Sequence, residues 1–273
     1  GTYVTVAELG PSNAPPIDKT VLPKLLKTFE TQLKQKVDGI VPGEIGQEVI
    51  TLEAAWRCGL PVVNTDLAGG RAVPKLSDLA LVRQGVGFTM SPLVFLTAAG
   101  QMGFLAKQKS LNDDEKQLRQ LVSLDKKQVV LFLGGGIKGK TIKEKLAYHS
   151  YSLAANLGDN LKSISKLIKA LPNKVIIRPE KVVVEKIEEV NTKGFFGSRV
   201  QLKGQKQNFQ LKVENEFIEL TTQTKKIMFP DLICLLDPDK LFGLSSDSLV
   251  VGKEVVLIVF EKHEFWKEKK YES

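Results

Sequence analysis

Residues 41–74, VPGEIGQEVITLEAAWRCGLPVVNTDLAGGRAVP, carry the alternation that sets the fold. A short strand-like run, residues 39–41, ends at Pro42-Gly43 and hands over a carboxylate, Glu44. An amphipathic stretch follows, with Val49, Leu52, Ala55 and Trp56 at helical spacing. Gly59 stops it, and Pro61-Val62-Val63 begins a second apolar run. That run ends in Asn64, Thr65 and Asp66, then Gly69-Gly70-Arg71. Two strand ends thus deliver Glu44, Asp66 and Arg71, with glycines that let a backbone approach a ligand. In open α/β sheets, ligands sit beyond the carboxyl ends of the strands. The structural alternative is that the acids cap the next helices and Arg71 pairs with Asp66.

Outward from this stretch the same rhythm continues. Residues 3–9 read as a strand and 10–16 as a loop. Residues 21–36 read as a helix with Leu22, Leu25, Leu26, Phe29 and Leu33 on one face. Residues 94–98 and 101–105 read as short strands around Gly100, 111–124 as a helix and 128–133 as a strand. Residues 141–171 read as helical, with a break at Gly158 and an end at Pro172-Asn173. The pattern predicts a layered α/β domain, residues 1–172, with a mostly parallel sheet. Beyond it the period becomes that of strands: KVIIRP, KVVVEKIEEV, SRVQLKG, FQLKVENEFIEL, LICLLD and EVVLIVF. Residues 173–273 are therefore expected to be an all-β domain with a charged tail.

The chain has 273 residues, 42% hydrophobic and 26% charged, with a net charge of +8. No apolar run is long enough to span a bilayer, and no secretory signal is visible. Cys58 and Cys234 lie far apart and outside any metal spacing, which reads as free thiols in a cytoplasmic protein. The lysines are scattered rather than clustered with aromatics, so a nucleic-acid partner is not expected. Residues 134–141, GGGIKGKT, match the phosphate-binding pattern G-x-x-x-x-G-K-[ST], which gives nucleotide hydrolysis as a third reading. Too little parallel sheet follows it for a nucleotide fold, and a glycine-rich connection accounts for the same letters.

Several motifs, in order, resemble the S-methyl thiohydantoin desulfurase (S-Me-THD) family, whose members accompany hydantoinases and oxoprolinases. They are Glu44-Ile45-Gly46, the run from Ala54 through Gly59-Leu60-Pro61-Val62-Val63 to Asp66, and Gly70-Arg71-Ala72-Val73-Pro74. Further on they are Ser152 to Gly158, Phe196-Gly197, Asn215-Glu216 and Pro230-Asp231-Leu232-Ile233. The sequence departs from the family at Gln47, Asn64 and Lys75, where glycine, aspartate and glutamate are usual. The family's glycine-rich N-terminal segment has no counterpart before Tyr3, so a truncated, processed or split protein is expected, with a separate chain as its source in the split case.

The resemblance implies attack on a hydantoin- or thiohydantoin-like ring, with Glu44 or Asp66 as base and Arg71 as donor to the developing anion. Gly46, Gly69 and Gly70 would offer amides. Asn215, Glu216 and Asp231 would close the site from the β domain, although such pairs also build tight turns. The implied partners are a small-molecule substrate, a hydantoinase- or oxoprolinase-type subunit and further copies of the chain, with no membrane. No cofactor or metal is named by the residues. The competing reading is a non-catalytic small-molecule-binding subunit, which suits Asn64, since an amide cannot act as a base.

Overall fold

The computed structural model describes residues 1–10, 17–123, 129–146, 149–171, 174–191, 196–263 and 266. Residues 11–16, the helix end at Pro172-Asn173 and most of the charged tail lie outside the described residues. The chain divides into two compact units, Gly1–Tyr151 and Ser152–Ser273.

In the first unit the elements run β1 (Thr2–Leu9), α1 (Leu22–Leu33), β2 (Gly39–Ile40), α2 (Glu48–Cys58) and α3 (Ala80–Arg83). Then come β3 (Leu93–Thr97), β4 (Met102–Leu105), α4 (Leu111–Ser123), β5 (Val130–Lys138) and α5 (Gly139–Lys145). The five strands form one sheet in the order β2-β1-β5-β3-β4. The expectation of a mostly parallel sheet is corrected here: the sheet is mixed. Only β1 with β2 is parallel, extended by an isolated parallel bridge from Ile40 to Val62. The pairs β1–β5, β3–β5 and β3–β4 are antiparallel. The physical reason is the connections. The stretch carrying α1 is a crossover long enough to return the chain in the same direction. The turn at Gly100 is a tight hairpin, with Gly100 N–H donating to Thr97 O at 2.9 Å, and it forces reversal.

Leu22, Leu25, Leu26 and Phe29 of α1 are buried, as their spacing predicts. They pack with Val4, Val6, Leu131 and Leu133 on one face of the sheet. Each large side chain removed from water in this way stabilises the unit by about 1.5–3 kcal/mol.

The second helix corrects its expected inward face. The residues it buries are Thr51, Ala54 and Ala55, small enough for a close approach to β1 and α1. Val49, Leu52 and Trp56 point outward and are 77%, 50% and 78% exposed. The guanidinium of Arg57 lies 5.5 Å from the Trp56 ring centre. Trp56→Ser is therefore expected to shift stability by less than about 0.5 kcal/mol, the range of ordinary surface changes. A larger drop in the thermal midpoint would mean that this face is covered in solution.

The GGGIKGKT stretch is strand and helix rather than an anion-cradling loop. Gly134 to Lys138 belong to β5, with a bulge opposite Tyr3 and Thr5. Gly135 N–H donates to Met90 O at 2.7 Å and Gly139 N–H to Gly1 O at 3.0 Å. Amides committed in this way cannot gather round a phosphate. Gly134 is glycine because a Cβ there would stand 2.4 Å from Met90 O and 2.6 Å from Leu93 Cβ.

The second unit holds the rest of α6 (Ser150–Asp159), then α7 (Ile164–Ala170), and an all-antiparallel sheet. Its strands are β6 (Val175–Asn191), β7 (Phe196–Gly204), β8 (Asn208–Glu214), β9 (Glu216–Thr221), β10 (Lys226–Met228), β11 (Leu232–Leu236) and β12 (Glu254–Phe260). Their order is β10-β9-β8-β7-β6-β12-β11. Among the described residues after 173 there is no α-helix. Two runs differ from their reading. KVIIRP and KVVVEKIEEV are one strand, because Pro179 falls where the β6–β12 register shifts and its missing N–H breaks no regular ladder. FQLKVENEFIEL is two strands, because Asn215 takes φ 58 and reverses the chain. The core is the alternate residues of these strands, such as Val182, Val184, Val200, Leu202, Phe209 and Leu211.

Candidate functional site

Two loops leave the sheet at the carboxyl ends of its parallel strands. Val41 N–H still donates to Val4 O at 2.9 Å, and the chain then departs at Pro42 into loop 42–47. Val63 N–H donates to Ile40 O at 2.9 Å, and loop 64–73 follows. The loops are laced together. Leu67 N–H donates to Pro42 O at 3.0 Å, Val73 N–H to Glu44 Oε2 at 2.8 Å, and Ile45 N–H to Arg71 O at 3.4 Å. Glu44 is half-buried, and its Oε1 accepts from Gln47 Nε2 at 3.1 Å.

Asp66 is fully buried. Its Oδ1 accepts from Ala68 N–H at 2.9 Å and Gly70 N–H at 3.0 Å. Its Oδ2 accepts from Ser150 Oγ at 2.8 Å and from Gly70 N–H at 3.1 Å. Gly69 and Gly70 have φ 80 and 78, the left-handed turn that curls these amides inward and that side chains resist. Burial pushes the Asp66 carboxyl up to about 6, and the donors from Gly70, Ser150, Ala68 and Gly69 offset only part of that. Arg71 is also buried, and its Nε donates to Ala72 O at 2.9 Å.

Glu44, Asp66 and Arg71 thus lie on one pair of interlocked loops. The three glycine positions lie there too, with their amides engaged locally: Gly46 N–H donates to Glu48 Oε2 at 2.7 Å, and Gly69 and Gly70 serve Asp66. The other three candidates lie in the second unit. The Asn215 carbonyl accepts from Ser246 Oγ at 2.6 Å, and Glu216 opens β9. Asp231 Oδ1 accepts from Lys262 N–H at 2.7 Å while its own N–H donates to Met228 O at 3.0 Å. Asn215 makes the turn between β8 and β9, and Asp231 lies in the turn between β10 and β11.

Sequence reasoning missed Ser150, Tyr151 and the threonines. Ser150 is buried on Asp66, and Tyr151 N–H donates to Asn64 Oδ1 at 3.0 Å. A serine opening a helical run reads as a self-cap, and nothing local announces partners more than eighty residues back. Four buried side-chain oxygens around these loops have no hydrogen-bond partner: Thr5 Oγ1, Gln47 Oε1, Glu48 Oε1 and Thr65 Oγ1. Among the described residues only one other, Asp114 Oδ1, shares that condition. No group of three or more His, Cys, Asp or Glu able to hold a metal occurs among the described residues. No helix among them is long and apolar enough to cross a membrane.

Residues 7–107 match the family described as S-Me-THD-like, N-terminal domain, and residues 110–271 match S-Me-THD-like, C-terminal domain. No curated protein matches the chain. The crystal structure of a protein from Chromobacterium violaceum is similar at a TM-score of 0.71 and 18% identity. The match covers 99% of this chain and 79% of that one, and at this identity it speaks for the fold alone.

Proposed function

The chain belongs to the S-Me-THD-like family, and from that premise we propose that it takes a small hydantoin- or thiohydantoin-type ring at loops 42–47 and 64–73. The observation that carries the reading is the set of unpartnered buried oxygens on Thr5, Gln47, Glu48 and Thr65, of which those of Thr5 and Gln47 both lie against Gly43. A buried polar group without a partner costs about 1–3 kcal/mol, and several of them on these segments are what a ligand or another polar guest would satisfy. A carboxamide and a carboxylate oxygen accept, and hydroxyls also accept. A cyclic amide offers ring N–H groups to them and carbonyls to a cation such as Arg71, whose planar guanidinium stays charged. Entry requires the loops to part, and a long 3.4 Å bond from Ile45 N–H to Arg71 O is one of the links between them.

In the catalytic form of this reading Glu44 accepts the proton from water and Arg71 stabilises the oxyanion. Glu44 holds a donor on each oxygen and is only half-buried, whereas Asp66 is fully buried under four donors and organises the loop rather than the water. The second reading, a binding subunit without turnover, is favoured by one observation: the amides of Gly46, Gly69 and Gly70 are already committed and supply no backbone donor to an oxyanion. Calorimetric titration with hydantoin separates the outcomes. Binding is expected, weakened about tenfold in Gln47→Leu, which removes an acceptor, and also weakened in Arg71→Lys. No heat, or affinity unchanged in both variants, would overturn the reading. Ring opening lost in Glu44→Gln with binding intact supports the hydrolase; binding without turnover in the unaltered protein supports the binding subunit.

A further inference from the structure

The geometry points to Asn64 and Ser150 as positioning residues that couple the first turn of α6 to the loop carrying Gly69, Gly70 and Arg71, so that the two order together. This rests on hydrogen bonds within Gly1–Tyr151 and not on the ring-binding reading. The first amides of a helix have no partner inside it. In α6 the Tyr151 amide is met from a distant loop, by Asn64 Oδ1 at 3.0 Å. Two residues on in that loop, Asp66 Oδ2 accepts from Ser150 Oγ at 2.8 Å. Tyr151 Oη then donates to Glu48 O at 3.2 Å, at the start of α2 and directly after loop 42–47. One helical turn therefore holds both loops.

The arrangement accounts for the residue types. A helix cap needs an oxygen acceptor, and asparagine serves as well as aspartate. Position 64 therefore keeps this duty without a charge. Position 66 needs a group with acceptors for four donors, Ala68, Gly69, Gly70 and Ser150, which a carboxylate supplies. Ser150 is buried, so its hydroxyl has no water to turn to when Asp66 releases it. The ionisable groups on the surrounding segments are Glu44 and Glu48 on the first loop and the start of α2, Arg71 on the second loop, His149 before α6 and Tyr151 on α6 itself.

The test uses the full chain with labelled carboxyl carbons and amides. Ser150→Ala removes a donor that favours ionised Asp66, so the Asp66 carboxyl midpoint is expected to rise by about one pH unit. A residue that merely filled space would leave that midpoint in place. Asn64 is exposed, so Asn64→Ala tests the coupling even if Ser150→Ala does not fold. Amide exchange at Tyr151 and also at Gly70 is expected to accelerate about tenfold, and Asn64→Asp to restore both. Faster exchange at Tyr151 alone, no change at either amide, or an unmoved Asp66 midpoint in folded Ser150→Ala would overturn the proposal.

Discussion

Asp66→Ala is expected to lower stability by about 2–4 kcal/mol at neutral pH, read as the midpoint of denaturant unfolding. Two effects oppose one another. Removing the carboxylate strands the Ala68 and Gly70 amides and the Ser150 hydroxyl in a buried place, at about 1–3 kcal/mol for each. It also relieves the burial of a charge. With the carboxyl raised from 3.8 to about 6, that relief is worth about 3 kcal/mol above pH 6. Three stranded donors outweigh it. The sign of the pH dependence follows from the same shift. The folded state binds the proton more tightly than the unfolded state. The stabilisation from this group is full below pH 3.8 and is lost as pH rises through about 6. Asp66→Ala lacks this term, so its deficit should grow by about 1 kcal/mol from pH 7.5 to pH 5. A deficit that shrinks on acidification would mean that Asp66 is held mainly as a charge.

Gly134→Val is expected to cost about 3 kcal/mol. The new Cβ would collide with Met90 O, and that carbonyl is fixed by the 2.7 Å bond from Gly135 N–H. Gly136→Ala is the contrast. Its Cβ would meet nothing within 4 Å, and only its φ of 48 resists, at about 1 kcal/mol. If the glycine run served a phosphate instead, both variants would damage nucleotide affinity more than stability. Equal stability losses at the two positions would refute the packing account.

The parts of the fold that local chemistry decides were legible in the letters. The stripe Leu22, Leu25, Leu26 and Phe29 is one face of α1, and the strand positions follow from short apolar runs between turn residues. Strand direction was not legible. The β1–β5 pair joins Thr2 to Lys138, and no local pattern records whether such distant partners meet parallel or antiparallel. The second helix misled for a different reason. Of its apolar stripe Val49, Leu52, Ala55 and Trp56 only Ala55 is buried, because close packing against α1 and β1 selects the small side chains, Ala54 with it. The glycines after the strand ends coincide with the two loops that leave the sheet there. Which distant donors Asp66 and Glu44 would meet was invisible, because Ser150 lies eighty-four residues and Val73 twenty-nine residues away from them.

The central claim is that the interlocked loops receive a cyclic amide. Amide chemical shifts of the labelled protein, followed while hydantoin is added to roughly millimolar concentration, test it most directly. The account predicts saturable changes concentrated at Gly46, Gly69, Gly70 and Val73, with Thr65 alongside them. Shifts absent there, or confined to other segments, would contradict it.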